Sequence, residues 1–164
     1  EDGQTGEGFT LEQLQALMFS KLAYAGRILR DDLVTLCEKN PSVTLSDGTS
    51  VDISPACPVL AQWDLHDDLD SRGAHLFREF WRSARAIPGV YRVPFDGKQP
   101  MATPAGLKMD DATVASKVWE TLAGAVAAVR KAGFALDAPL GSELVFTLSA
   151  RMKSLARVKE ISGA

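Results

Sequence analysis

Apolar positions recur at helical spacing through the first quarter of the chain. The repeat begins after Thr10, which together with Gln13 has the spacing of a helix-starting capping box. It ends near Asn40, and Gly26 interrupts it at a cost of about 1 kcal/mol relative to alanine. The pattern therefore predicts either two helices or one bent helix. Its apolar positions include Leu11, Leu14, Leu17, Met18, Leu22, Leu29, Leu33 and Leu36.

Three further helices are predicted downstream. The first begins at Ser54, and the second is expected to be capped by Ser71. The third begins at Asp110 and Asp111, where the helix dipole favours negative charge, and Gly133 fits the position just after its end. The buried face of the second helix is predicted to consist of Leu76, Phe77, Phe80, Trp81 and Ala84.

Two segments depart from the helical repeat. Residues 42–54 alternate between apolar and polar positions around Asp47 and Gly48, a pair typical of a β-hairpin turn. Residues 87–109 contain four prolines and show no period, which predicts a long irregular segment. The predicted fold class is therefore mainly α with one short β-hairpin.

Composition narrows the class of protein. The chain has 164 residues, of which 46% are hydrophobic and 24% charged, as in an ordinary folded domain. No apolar run approaches the roughly 20 residues of a membrane span. Residues 1–70 carry 13 acidic and 4 basic residues, and residues 71–164 carry 8 acidic and 14 basic ones. The basic residues are dispersed without interleaved aromatics, so nucleic-acid binding is not predicted.

One short stretch carries a candidate site. Residues 64–70 contain four aspartates and His66, which could serve a hard cation or acid–base chemistry. The spacing matches no calcium loop, so we interpret the stretch as a solvated connection whose Asp68 and Asp70 help to cap the next helix. His75 is expected to be a surface or partly packed residue. No metal site and no cofactor are predicted.

Motifs for nucleophilic catalysis are missing from the sequence. It contains no G-x-S-x-G, no H-E-x-x-H and no phosphate-binding P-loop. Cys37 and Cys57 are the two cysteines, and neither has a histidine nearby in sequence. They would either form a disulfide that closes a loop of about 20 residues or remain as two buried thiols.

Residues 9–141 resemble the penicillin amidase (penicillin acylase) family, in particular its acyl-homoserine lactone acylase and aculeacin acylase branch. Several motifs carry this resemblance in order and with matching spacing. They are FTLEQLQALMF at 9–19, RDDLVTLC at 30–37, ACPVLAQWD at 56–64, DSRGAHLFREFW at 70–81, VPFD at 93–96, TPAGL at 103–107 and LDAPLG at 136–141.

The resemblance implies an N-terminal-nucleophile hydrolase with the larger αββα fold. Such enzymes are cut from a precursor into α and β chains, and the new N-terminal serine of the β chain attacks an amide with its own α-amine as base. The sequence is similar to an internal part of the β chain, downstream of that serine. Glu1 has no hydroxyl or thiol. No catalytic residue of the family can therefore be assigned to a position in this chain.

The expected organisation is a flexible lead-in (1–9), a helical β-chain segment (10–141) and a divergent basic tail (142–164). A chain that opens on Glu1, with neither an initiator methionine nor a visible signal peptide, is expected to be a piece of a longer polypeptide. Because the family is exported, the resemblance implies a periplasmic or secreted protein and favours a disulfide between Cys37 and Cys57.

The predicted function is that of a structural part of an amide hydrolase whose catalytic centre lies elsewhere. Its partners would be the remaining α and β portions of the same acylase. The substrates implied are small N-acyl compounds such as acyl-homoserine lactones, lipopeptides or penicillins. The alternative is a non-catalytic helical binding or partner module.

Overall fold

The computed structural model describes residues 8–142, which form a mainly helical domain with four short strands. The predicted lead-in and basic tail lie almost wholly outside the described residues. No helix in the described range is long and apolar enough to cross a membrane. The elements, in chain order, are α1 (Leu11–Met18), α2 (Tyr24–Lys39), β1 (Ser42–Thr44), β2 (Ser50–Asp52), α3 (Ala56–Gln62), α4 (Ala74–Ala84), β3 (Tyr91–Val93), β4 (Ala105–Leu107) and α5 (Ala112–Lys131).

Four of the helices build the hydrophobic core. Helix α2 packs on α3, and α4 packs on α5. Trp63, which follows α3, and Phe80, from the middle of α4, are the largest fully buried side chains. Both belong to one core cluster that includes residues of all four helices, and aromatic side chains of this size dominate core energetics.

Two predictions about burial were wrong. Trp81 is only half-buried: it lies at the edge of the α4 apolar face, where its ring stacks on Phe77 with centroids 6.5 Å apart. His75, by contrast, is 6% exposed, and its Nε2 lies 3.2 Å from the carbonyl oxygen of Ala135. The segment after α5 returns across the start of α4 and covers it, which local sequence does not reveal.

The cysteines link the first helix pair. Cys37, near the end of α2, and Cys57, in the first turn of α3, are joined as a disulfide with their Cα atoms 5.6 Å apart. Both residues are buried within the core cluster. The bridge therefore fixes the end of α2 against the start of α3, across the β1–β2 hairpin.

The strands form two separate antiparallel pairs. The predicted hairpin is present, with Val43 opposite Val51 and Gly48 in the left-handed region at φ +83°. A second pair, β3 with β4, corrects the prediction of an irregular segment over 87–109 and of a single hairpin. Its register places Tyr91 opposite Leu107. Eleven intervening residues separate the two strands, so no turn signal marks the pairing.

The first helical repeat forms two helices, but the break is not at Gly26. Helix α1 ends at Met18, and a connection over residues 20–23, here called the stem, leads into α2. In the stem, Leu22 pairs with His66 in an antiparallel bridge, and the Ala23 amide donates to the Leu65 carbonyl. Gly26 lies inside α2, where its lack of a side chain serves packing.

Helix ends follow local signals in some places only. The Thr10–Gln13 capping box is present, and the Asp111 carboxylate accepts from the Thr113 and Val114 amides. Gly133 adopts φ +83° just beyond α5. The predicted cap at Ser71 is wrong: α4 begins after Gly73 at φ +91°, and no side chain caps it, neither Ser71 nor Asp68 nor Asp70.

Candidate functional site

Trp63 joins three of the family-like motifs through its ring and its backbone carbonyl, and its contacts are here called the first junction. Its indole ring occupies the space over Gly26, where a Cβ atom would lie 2.5 Å from two ring carbons. The opposite partner is Phe77, with ring centroids 4.8 Å apart. Arg30 donates a hydrogen bond to the Trp63 carbonyl oxygen at 3.1 Å. The tryptophan therefore fixes α2, α3 and α4 against one another.

The aspartate-rich loop is held by its own hydrogen bonds. Asp64 Oδ1 accepts from the His66 amide, and Asp64 Oδ2 accepts from the Ser71 hydroxyl at 3.1 Å. Asp68 pairs with Lys21 of the stem at 2.6 Å. Within residues 8–142, no group of three or more His, Cys, Asp or Glu side chains is arranged to hold a metal ion. These carboxylates position the loop and the stem.

Asp67 has a different environment from its neighbours. Burial raises the pKa of its carboxyl group above the usual value, and the positive charge of Arg78 partly opposes this shift. Its Oδ1 atom is buried without a hydrogen-bond partner among the described groups. Asp67 therefore carries a desolvation cost when it is charged.

The serine and histidine in this loop do not form a nucleophile–base pair. In the described part of the chain, His66 Nδ1 lies 2.7 Å from the Asp64 carbonyl oxygen, and the Ser71 hydroxyl donates to the Asp64 carboxylate. Ser54 donates to Asp52 at 2.7 Å. A general base must lie within hydrogen-bond reach of the group that it activates. The loop therefore does not assemble a serine–histidine catalytic pair.

A second junction lies where α2 meets the β3–β4 pair. Asp32 Oδ2 accepts from the Leu107 amide at 2.7 Å, and Asp32 Oδ1 lies 3.9 Å from an Arg92 guanidinium nitrogen. Gly106, at φ +62°, lies against both: a Cβ atom there would lie 2.6 Å from Arg92 Nη2 and 3.0 Å from Asp32 Oδ2. The carboxylate thereby anchors the β3–β4 pair to α2.

A cleft of about 440 Å³ opens beside this junction, between α2, β4 and α5. This volume falls within the range of small-molecule sites. Among the described residues that line it, there is no serine, cysteine or histidine, and the hydroxyl group of the lining belongs to Thr35. Its lining combines charged with apolar groups: Asp32, Thr35, Leu36, Lys39, Asn40, Arg92, Leu107, Met109, Asp110 and Trp119.

Helix α1 contrasts with both junctions because none of its residues is buried. Its large apolar side chains are 44–69% exposed. They are Leu11, Leu14, Leu17 and Met18, here called the α1 stripe.

A sequence-family model for penicillin amidase matches residues 2–153 of the chain. The chain belongs to the penicillin amidase family. The resemblance inferred from the sequence motifs is therefore confirmed. The two junctions show what several of these motifs do: they supply Trp63, Asp32 and Gly106, whose contacts fix helices and strands to one another.

Curated relatives of the chain carry acylase names. The segment is 41% identical over 104 residues to aculeacin-A acylase of Actinoplanes utahensis, covering 63% of this chain and 13% of that protein. It is 31% identical over 153 residues to the acyl-homoserine lactone acylase PvdQ of Pseudomonas syringae pv. syringae, covering 92% of this chain and 19% of that protein. The chain thus spans less than a fifth of the length of either relative.

The contacts at the second junction were not predicted from the sequence. Asp32 and Gly106 belong to family-like motifs, but their roles depend on a contact between residues 75 positions apart. The two motifs did offer one signal. Asp32 lies beside apolar helix positions, and a partly buried carboxylate needs a hydrogen-bond donor from elsewhere. Arg92 lies just before the VPFD motif and carried no signal of its own.

Proposed function

We propose that this chain is a non-catalytic helical part of the β chain of an acylase, and that the amide-cleaving nucleophile lies outside residues 1–164. The acylase would remove acyl chains from small N-acyl substrates such as acyl-homoserine lactones, lipopeptides or penicillins. No cofactor takes part. The remaining α and β portions of the same acylase are the partners of this segment.

One observation carries the proposal. The penicillin amidase model matches nearly the whole chain, yet the motif side chains Trp63 and Asp32 are engaged in packing and in anchoring backbone. In the described residues, the hydroxyls of Ser54 and Ser71 both donate to carboxylates rather than to a histidine. Hydrolysis by an N-terminal nucleophile needs a hydroxyl or thiol beside a free α-amine and donors aimed at the oxyanion.

A periplasmic or secreted location belongs to the same proposal. The close approach of Cys37 and Cys57 supports it, because disulfides persist in oxidising compartments. Maturation from a precursor, with release of a new N-terminal nucleophile upstream of this segment, completes the proposed pathway.

The decisive experiment uses the complete acylase that contains this segment. His66→Ala and Ser54→Ala are expected to leave kcat/KM on a long-chain acyl-homoserine lactone within roughly a factor of three of wild type. A catalytic base or nucleophile would cost far more, on the order of a thousandfold or above. A loss of that size in His66→Ala, without loss of folded protein, would contradict the proposal.

The 164-residue chain by itself is expected to hydrolyse neither acyl-homoserine lactones nor penicillin-type amides. Turnover by the purified chain that disappears in His66→Ala would make the aspartate-rich loop a catalytic site instead. The alternative function, a partner module that acts outside any acylase, is favoured by the exposed α1 stripe alone. It would be supported if the gene encoded no cleavage junction and no nucleophile upstream of this segment.

A further inference from the structure

The α1 stripe forms a continuous apolar surface. At 100° per residue, Leu11, Leu14, Leu17 and Met18 fall within an arc of about 120° around the helix axis. Ala16 projects from the opposite side of the helix. Phe9 and Phe19, at the two ends of α1, are each 75% exposed. This is the pattern of a helix with one buried face, but the face has no cover among the described residues.

The helix is formed and capped although its apolar face is uncovered in the described part of the chain. The Thr10 hydroxyl accepts from the Gln13 amide, and the Gln13 side chain accepts from the Thr10 amide. Isolated helices shorter than about 12 residues are marginal in water, and α1 has eight. Its stem is nevertheless fixed to the domain by the Ala23–Leu65 hydrogen bond and the Lys21–Asp68 ion pair.

Most of the acylase lies outside this chain. The chain corresponds to 13% of one relative and 19% of another. In an acylase of similar length, most of the polypeptide would therefore be available to pack against this segment. Clustered exposed apolar side chains on a soluble protein mark a contact surface. A helix with one exposed apolar face is the kind of element that binds in an apolar groove.

We propose that the α1 stripe docks into an apolar groove formed by the remaining polypeptide of the same acylase. This inference rests on the proposed function, because the occupant is the rest of that enzyme. The Ala23–Leu65 hydrogen bond and the Lys21–Asp68 ion pair already fix the stem, so docking need not order the stem itself. Docking would also supply the tertiary packing that an eight-residue helix requires.

Oxidation of Met18 tests the proposal in the complete, mature acylase. The enzyme is treated with dilute hydrogen peroxide, and sulfoxide at Met18 and Met101 is measured by mass spectrometry, natively and in denaturant. Met101, 92% exposed and remote in sequence from the stripe, is the reference. We expect native Met18 to oxidise at least about tenfold more slowly than denatured Met18. Oxidation of native Met18 within about twofold of the denatured rate would overturn the proposal.

A matched pair of variants locates the protecting contact. Leu17→Glu places a charge within the stripe, and Ala16→Glu places the same charge on the opposite side of α1. We expect Met18 protection to be lost in Leu17→Glu and kept in Ala16→Glu. Equal protection in the two variants would contradict docking through the stripe. If the Leu17→Glu enzyme does not mature, Leu14→Ala is used in its place. The comparison of native with denatured Met18 in the wild-type enzyme tests the proposal without either variant.

Other occupants give different results. Protection of Met18 that increases with enzyme concentration would indicate a second copy, and protection only with phosphatidylcholine vesicles would indicate a lipid surface. Either result would overturn docking onto the rest of the enzyme. Activity measured on the same samples separates the two proposals: protected Met18 in an enzyme without acylase activity contradicts the proposed function and leaves the docking contact intact.

Discussion

Helices α4 and α1 show two ways in which the same amphipathic pattern is used. Six of the eleven residues of α4 are buried, although no side chain caps its start. None of the eight residues of α1 is buried, although it begins with a complete capping box. Tertiary packing stabilises α4, whereas local hydrogen bonds define α1. An apolar stripe on a helix indicates which face can be buried. Whether that face is buried depends on a packing partner elsewhere in the protein.

The largest expected effect separates these helices directly. Phe80→Ala removes a fully buried ring from α4 and should lower the free energy of unfolding by roughly 3–5 kcal/mol. Leu17→Ala in α1 should change it by less than about 0.5 kcal/mol in the 164-residue chain. Urea unfolding of both variants measures the difference. Trp81→Ala should fall between them because its side chain is half-buried. Equal losses of unfolding free energy in Phe80→Ala and Leu17→Ala would contradict the distinction between a buried α4 and an exposed α1.

The disulfide is predicted to stabilise the core and to leave α1 unaffected. Closing a loop with a sequence separation of 20 residues contributes about 3 kcal/mol through the entropy of the unfolded chain. Reduction should therefore lower the unfolding midpoint without altering hydrogen exchange of α1. Thiol titration in denaturant should find no free thiol before reduction and two afterwards. Two free thiols in the unreduced chain would contradict the prediction.

Gly26→Ala tests the contact that holds α2 against Trp63. A Cβ atom at this position would lie 2.5 Å from the indole ring, and overpacking of this kind costs roughly 1–3 kcal/mol. Gly124→Ala is the matched control in α5, where, among the described residues, nothing beyond the neighbouring residues and the helix's own nearby backbone lies within 4 Å of the added Cβ. That variant should gain up to about 1 kcal/mol from helix propensity. A stabilised Gly26→Ala protein would show that the ring is free to move.

The smallest expected effect concerns Asp67 in the loop between α3 and α4. Its folded pKa is raised by burial, so the folded state binds its proton more tightly than the unfolded chain does. Stability should therefore fall as pH rises from the ordinary aspartate pKa through the raised folded value, and stay constant above it. Asp67→Asn should be slightly more stable than wild type at pH 7, and the difference should shrink at pH 3. Urea unfolding at both values measures it; a constant difference would contradict the pKa shift.

Local signals in the sequence predicted several elements correctly. The capping box at Thr10, the carboxylate cap at Asp111 and the Asp47–Gly48 turn each depend on neighbours within a few residues. In such cases the hydrogen bonds are satisfied within the segment, so the sequence specifies the geometry.

Two of the errors share a physical cause. His75 is buried by a segment that arrives from 60 residues away, and β3 pairs with β4 across eleven residues. Local sequence does not encode these contacts, because the stabilisation comes from groups distant along the chain. The junctions at Trp63 and Asp32 belong to the same class. Recognition of the family supplied their motifs, but only the fold assigns them roles.

The crowding at Gly106 has a consequence for how the family can diverge. A Cβ atom added at Gly106 would overlap the Arg92 guanidinium, and it would lie as close to the Asp32 carboxylate as packing allows. A side chain at position 106 would clash with the Arg92 guanidinium, and loss of the Asp32 carboxylate would leave the Leu107 amide without its acceptor. We therefore expect the residues at these three positions to vary together among natural sequences. Among homologous acylases that depart from glycine at this position, we expect compensating replacements at the other two.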